Sequence, residues 1–144
     1  MITINNETAL VFLLRVILGL LFFFQGYDKV FKVKIAGVIE FFTQETRNVR
    51  IPPSLLKISA YYTTYIEFLC GGLLIIGLFT KYSLYLLGID MILVVGAFSI
   101  IKPMWDMNLL FPRLILLSVL LFLPEKWNVI SLDHIINYFI SIYT

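Results

Sequence analysis

Four long apolar stretches run along the chain and are separated by short polar segments. They cover about residues 8–27, 61–80, 83–101 and 109–123. A helix of about 20 residues, rising ~1.5 Å per residue, crosses a hydrocarbon core of ~30 Å. The pattern therefore predicts four transmembrane helices. The very short turn between the second and third stretches predicts that these two are antiparallel neighbours.

Two other segments have apolar residues on only one helical face. In residues 33–47, which follow the first span, apolar side chains such as Val38 and Phe42 recur at helical spacing. Residues 131–143 repeat the pattern and begin with Ser131, a residue type that caps helices. Both segments are predicted to be amphipathic surface helices. The predicted fold is one all-α integral membrane domain over residues 1–144: a four-transmembrane-helix bundle with a surface helix after the first span and another at the C-terminus.

Composition supports this class and narrows the chemistry. The 144 residues are 60% hydrophobic and only 14% charged, and the net charge of +2 is scattered along the chain. No basic block indicates nucleic acid as a partner; the predicted partner is the lipid bilayer. The only cysteine, Cys70, and the only histidine, His134, exclude an internal disulfide or a Cys/His metal cluster from this chain alone. We therefore predict no metal site and no cofactor held within the chain, and interpret Cys70 as a packing residue and His134 as solvated.

Four ionisable side chains fall inside the predicted spans: Arg15, Glu67, Asp90 and Arg113. An isolated charge in hydrocarbon is unfavourable, so each should have a partner or face water. Counting ~1.5 Å per residue puts Arg15 and Asp90 at similar depth on the side of the termini, and Glu67 with Arg113 on the opposite side. Equal depth predicts the pairs Arg15–Asp90 and Glu67–Arg113. The pair Arg15–Glu67 is the alternative if the helices are not straight and equally inserted.

These charges have two interpretations. They are structural clasps that hold the helices in one register, or they belong to a polar pocket with Gln25, Tyr61, Tyr65 and Trp105. Such a pocket would bind the head group of a quinone or another small amphiphile, or relay protons. Tyrosines at the end of a span are also typical of the membrane interface, so their presence does not decide between these interpretations.

Three segments carry a family resemblance. Residues 13–31 read LLRVILGLLFFFQGYDKVF, residues 66–83 read IEFLCGGLLIIGLFTKYS, and residues 131–133 read SLD. In this order and spacing they resemble the DoxX/DoxD-like four-helix membrane proteins. Gln25 is a departure, since a histidine often precedes the glycine there. The positions that match the family pattern are Arg15, Gly19, Lys29, Glu67, Gly71, Gly77 and Lys81.

The resemblance also implies a function. DoxD-like members are the membrane subunits of thiosulfate:quinone oxidoreductase, and other DoxX-like proteins are associated with redox and oxidative-stress complexes. It implies a multi-pass subunit of a larger, redox-linked complex in the inner membrane, with quinone as candidate ligand and other membrane subunits as partners. A noncatalytic assembly or stabilising subunit, whose charge pairs are purely structural, is the alternative.

Orientation in the membrane is predicted in two opposite ways. Most lysines and arginines outside the spans lie on the side of the longer loops, which places those loops in the cytoplasm by the positive-inside rule. The family resemblance instead implies cytoplasmic termini. A reporter fused after Thr144 distinguishes the two.

Overall fold

The computed structural model describes residues 5–101 and 110–143, which contain helices and connecting turns and no β-strand. The α-helices are α1 (Asn6–Tyr27), α2 (Lys34–Glu45), α3 (Pro53–Ile76), α4 (Thr80–Ile101), α5 (Phe111–Phe122) and α6 (Leu132–Tyr143). A π-helical segment, Asp28–Val33, joins α1 to α2, and a short 3₁₀ turn, Glu125–Trp127, follows α5. The prediction of an all-α membrane fold is confirmed.

Three helical segments of the described chain are long and apolar enough to cross a membrane: Asn6–Glu45, Pro53–Ile76 and Thr80–Ala97. The apolar α5 has 12 residues, which span only ~18 Å, and it begins just after residues 102–109. The predicted fourth span, from residue 109, starts among residues that are not described. A count of four spans therefore stays a prediction.

The helix that contains the predicted first span, residues 8–27, continues beyond it. Helical structure continues through the π segment into α2, so that residues 6–45 form one helical stretch. The change of course comes at Lys34, whose φ of 61° and ψ of 157° are not helical. Because Gln25 and Lys29 have partners on other elements, their polarity does not require a helix end there.

The turn between α3 and α4 depends on Gly77, which has a φ of 73°. The amide of Leu78 donates to the carbonyl of Leu73, and that of Gly77 to Leu74, which closes the helix in a Schellman arrangement. At its other end α3 begins at Pro53, a residue suited to the first turn of a helix. The short turn makes α3 and α4 adjacent helices, as their contacts confirm.

The tightest helix packing is between α1 and α3. A Cβ added at Gly26 would lie 2.3 Å from the Phe68 amide nitrogen, and one at Gly71 would lie 2.4 Å from that of Phe23. Gly19 likewise faces the Gly71 carbonyl, so the two helix backbones approach closely there as well. Many large apolar side chains elsewhere are exposed, including Ile92 at 72% and Phe122 at 87%. Such an outer surface suits contact with lipid.

Candidate functional site

Six polar side chains from four helices and the π segment meet inside the bundle. We call this group the carboxylate layer; its members are Gln25, Lys29, Thr63, Glu67, Asp90 and Arg113. α1 supplies the amide, the π segment the lysine, and α3 the threonine and glutamate. α4 and α5 supply the aspartate and the arginine.

Glu67 is almost completely buried, with 1% of its surface exposed, and its carboxylate contacts three polar side chains of the layer. Its Oε2 lies 2.7 Å from Lys29 Nζ, and its Oε1 accepts hydrogen bonds of 3.1 Å from Thr63 Oγ1 and from Gln25 Nε2. Lys29 Nζ also donates to Thr63 Oγ1 at 3.1 Å. Thr63 is four residues before Glu67 and so lies on the same face of α3. Lys29, Thr63 and Glu67 form a closed triangle of polar contacts.

Gln25 connects this triangle to α5. Arg113 Nη1 donates to Gln25 Oε1, while the amide nitrogen of Gln25 donates to Glu67. Arg113 also interacts electrostatically with Glu67 and Asp90, and its guanidinium lies 5.7 Å from the centre of the Phe22 ring. The side chain of Gln25 thereby links Arg113 of α5 to Glu67 of α3.

Asp90 is the least satisfied member. It is completely buried, and no hydrogen bond of good geometry from the described residues reaches either carboxylate oxygen. Its carboxylate lies beside the charged side chains of Glu67 and Lys29 and the hydroxyl of Thr63. A buried polar atom without a hydrogen bond is uncommon and unfavourable. Asp90 is thus the position in the layer where an added donor would bring the most stabilisation.

The layer is balanced in formal charge, since Lys29 and Arg113 offset Glu67 and Asp90. It offers N–H donors beside carboxylate acceptors in a low-dielectric surrounding, where each interaction is stronger than in water. Such a site suits a small group that both accepts and donates hydrogen bonds.

A second polar group lies nearer the beginning of α1. We call it the closing layer: Arg15, Gly77, Ile130, Ser131 and Asp133. Arg15 Nη2 donates to the Ile130 carbonyl at 2.7 Å. The two oxygens of Asp133 accept from the amides of Phe79 and Thr80 at 2.7 and 2.8 Å, and so cap α4.

Ser131, the residue before α6, also belongs to the closing layer. Its Oγ accepts the amide of His134 at 3.1 Å, which confirms the predicted N-cap of α6. The amide of Asp133 donates back to the Gly77 carbonyl at 2.9 Å. The C-terminal segment is thereby fastened to the turn between α3 and α4.

The charges meet differently from the depth-matched prediction. Arg15 has Asp133 as its electrostatic partner, not Asp90, and Glu67 has Lys29 at salt-bridge distance. Arg113 reaches Glu67 through Gln25, as described above. The depth count considered only residues within the predicted spans and so left out Lys29 and Asp133. In the structure Asp133 is the electrostatic partner of Arg15 in place of Asp90. Lys29 is the ion-pair partner of Glu67 in place of Arg113.

The other predicted site residues are also dispersed. Tyr61 and Tyr65 are 47% and 44% exposed and stack on each other with ring centres 6.2 Å apart. Tyr65 precedes Glu67 by two residues, so the two side chains point to roughly opposite sides of α3. This placement differs from the predicted pocket, whereas Gln25 does lie in the layer. Trp105 lies outside the described residues.

Cys70 and His134, the only cysteine and the only histidine of the sequence, are not members of the carboxylate layer. Cys70 is 2% exposed within the hydrophobic core, which confirms it as a packing residue. His134 is exposed at the start of α6. Neither has a hydrogen bond to the carboxylate layer in the described part of the chain.

Lys29, Thr63 and Asp133 are the site residues that sequence reasoning did not assign. The signals for them are in the chain: Thr63 is one helical turn before Glu67, and Lys29 occupies a family pattern position. Asp133 is in the closing SLD segment. The sequence pattern did not show that the helix continues past residue 27. This continuation places Lys29 next to Glu67 of α3.

Comparison with known protein families identifies the family of the chain. The model of the DoxX family matches residues 10–100, which is more than half of the chain. No curated protein and no solved structure matches the chain. The matched region contains Arg15 and all members of the carboxylate layer except Arg113.

Proposed function

The chain belongs to the DoxX family, and from this premise we propose that it is a membrane subunit of a larger, redox-linked complex in a bacterial inner membrane. Its carboxylate layer is the binding site for the head group of a quinone. The observation that carries this proposal is Asp90, a fully buried carboxylate whose oxygens lack well-formed hydrogen bonds beside a cluster of donors.

The chemistry of a quinone head group matches the unequal bonding of the two acids. A quinol hydroxyl is a donor and would bond to Asp90, the acid with free acceptor capacity. The carbonyl oxygen of the oxidised form is an acceptor and would take a hydrogen bond from Lys29 or Arg113. Glu67, already bonded by three side chains, holds these donors in place.

Electron transfer requires a redox group, and we assign that group to a partner subunit. This chain contributes the proton acceptor and the hydrogen-bonding frame for the quinone. When quinol is oxidised, its two electrons pass to the partner's redox group and its two protons leave through acceptors that include Asp90. The proposal therefore needs the assembled complex for activity.

The test uses the complex purified from native membranes and a short-chain quinol as the substrate. Asp90→Asn retains the shape of the side chain but removes its capacity as a proton acceptor, and turnover should fall about 10-fold or more. Thr64→Val is the matched control, because Thr64 is equally buried but its hydroxyl has no described partner. Turnover equal to wild type in Asp90→Asn, at equal complex yield, would refute the quinone site.

A noncatalytic assembly role is the second candidate, and α6 favours it. Four large apolar residues of this helix are between 40% and 55% exposed: Leu132, Ile135, Ile136 and Phe139. On this alternative they contact a partner subunit, and the carboxylate layer only fixes the helices. Glu67→Gln would then lower the yield of complex in copurification, with unchanged turnover for each complex formed.

A further inference from the structure

The side chain of Tyr62 crosses from α3 to α4 at the edge of the carboxylate layer. Its hydroxyl donates a hydrogen bond of 3.1 Å to the carbonyl oxygen of Leu86, and this contact lies at the exposed surface of the bundle. Tyr62 is only partly buried, whereas Thr63 and Asp90 of the layer are 4% and 0% exposed. Tyr62 therefore lies between the buried layer and the surface.

The contact with Leu86 brings the Tyr62 hydroxyl to the turn of α4 that precedes Asp90. Leu86 is four residues before Asp90, and helical side chains lean toward the N-terminus, over the turn before them. Thr43 of α2 illustrates this reach, since its hydroxyl donates to the carbonyl of Ile39, four residues earlier, at 2.8 Å. The Asp90 carboxylate and the Tyr62 hydroxyl consequently lie near the same carbonyl, and the two side chains interact electrostatically.

The other polar neighbours of Asp90 are poorly suited to accept its proton. Lys29 has donors only, and the oxygens of Glu67 already contact three donors. Thr63 accepts from Lys29 and donates to Glu67, so its hydroxyl is engaged on both sides. The oxygen of Tyr62 has lone pairs that receive no hydrogen bond from the described residues. Among these four side chains, Tyr62 has the most free capacity to accept.

Tyr62 also lies near the end of the apolar part of α3. It follows the exposed Lys57 by five residues, or ~7.5 Å along the helix axis. A lysine near the end of a membrane-crossing helix extends its ammonium group to the head-group region, where water is present. A proton that reaches Tyr62 is therefore close to water that can accept it.

We propose that Tyr62 relays the proton of Asp90 to water; this inference rests on the quinone site proposed above. After a quinol hydroxyl has given its proton to Asp90, the Asp90 O–H donates to the Tyr62 oxygen. The proton moves onto that oxygen as the phenolic O–H bond breaks and releases the original proton to water. Asp90 is again a carboxylate and Tyr62 again a neutral phenol, and the two quinol electrons pass to the partner's redox group.

The test measures quinol oxidation by the complex purified from native membranes, with a short-chain quinol as the substrate. Tyr62→Phe keeps the ring and removes the relay oxygen. The kcat of each complex should fall about 10-fold or more. The ratio kcat/KM should stay near the wild-type value, because quinol binds and reacts before the relay acts. Proton release then limits the rate, so the ratio of kcat in H2O to kcat in D2O should rise.

Tyr82→Phe is the matched control for this substitution. It removes the same hydroxyl from a tyrosine near the start of α4 that is 66% exposed. Tyr82 precedes Asp90 by eight residues, or ~12 Å along α4. This variant should change neither kcat nor the ratio of rates in H2O and D2O.

Two further measurements distinguish a relay from a structural effect. Imidazole, a small proton carrier, should restore part of the kcat of Tyr62→Phe, since it can take up the proton in place of the phenol. The double variant Tyr62→Phe/Asp90→Asn should be no slower than Asp90→Asn, because Tyr62 acts only on the proton that Asp90 holds.

The outcomes for the relay and for the quinone site are distinguishable. Loss of turnover in both single variants, with rescue of Tyr62→Phe by imidazole, supports the relay. Wild-type kcat in Tyr62→Phe overturns the relay, and so does a loss that imidazole does not restore and that leaves the ratio of rates in H2O and D2O unchanged. In both cases Asp90→Asn still reports on the quinone site. Wild-type turnover in Asp90→Asn overturns both proposals.

Discussion

The two polar layers of this bundle differ in what their side chains bond to. In the closing layer, Arg15 and Asp133 bond to backbone atoms, whose positions the helix ends determine. In the carboxylate layer, Glu67 and Arg113 bond to other side chains, which can change partner. Backbone partners give one fixed arrangement, whereas side-chain partners leave room for a ligand or proton. The comparison predicts a structural role for the first layer and chemistry for the second.

The largest expected effect is on the closing layer, from Gly77→Ala. The new Cβ would lie 1.5 Å from Arg15 Nη1, and the residue would keep a φ of 73° that favours glycine. Overlap and backbone strain together should destabilise the protein by at least about 3 kcal/mol. Thermal unfolding in detergent measures this effect.

Gly96→Ala is the control for this substitution. Nothing described lies within 4 Å of an added Cβ there. Alanine within a helix should then stabilise by ~0.5 to 1 kcal/mol. Equal unfolding temperatures for the two variants would remove the basis for a rigid closing layer.

The second effect separates the two acids of the carboxylate layer. Glu67→Gln leaves Lys29 without its ion-pair partner and should destabilise by about 3 kcal/mol. Asp90→Asn removes a buried carboxylate that lacks well-formed hydrogen bonds and should change stability by less than about 1 kcal/mol. Unfolding curves of the two variants test this difference. A greater loss from Asp90→Asn would reverse the roles assigned to the acids.

A smaller effect is expected for Asp133→Ala, which removes the cap of α4. Loss of an N-cap carboxylate should lower stability by ~1 to 2 kcal/mol. Asp28→Ala is the control, because Asp28 forms an exposed ion pair with Lys32 and should have no measurable effect. Amide hydrogen exchange at the start of α4 should increase in Asp133→Ala alone. Unchanged exchange there would contradict the capping role.

The smallest effect compares two neighbouring threonines on α3. Thr63 is 4% exposed and bonds to Glu67 and Lys29, while Thr64 is 1% exposed and its hydroxyl has no described partner. Thr63→Val should lose ~1 kcal/mol, and Thr64→Val should be neutral or stabilising. The two unfolding midpoints give the measurement. If both variants behaved alike, the hydrogen bonds around Glu67 would contribute little to stability.

The helices of this fold are predictable from sequence because each depends on local pattern. The amphipathic segment at residues 33–47 corresponds to α2, and that at 131–143 to α6, since helical periodicity and capping residues are local signals. The π segment at Asp28–Val33 is not predictable in this way. Its polar residues resemble the end of a span until the partners of Lys29 on α3 are known.

The membership of the site is partly predictable, and its pairing is not. Burial of charge in an apolar span identifies Glu67, Asp90 and Arg113 as exceptional residues. Depth counting assumes straight helices and counts only residues within the spans, so it omits Lys29 and Asp133. The partner of Arg15 is in fact 115 residues away along the chain, at Ile130. Only the fold brings such distant residues together.

That separation also governs how the protein is made. At roughly 5 to 20 residues per second, a ribosome needs about 6 to 23 seconds to proceed from Arg15 to Ile130. The close α1–α3 contact through Gly26 and Gly71 can form from about the middle of this interval, once Gly71 has been synthesised. Arg15 enters the membrane long before its described acceptor is synthesised. Insertion of this chain therefore includes a waiting period in which the first helix carries an uncompensated charge, and during which lipid phosphates or the insertion machinery must solvate it.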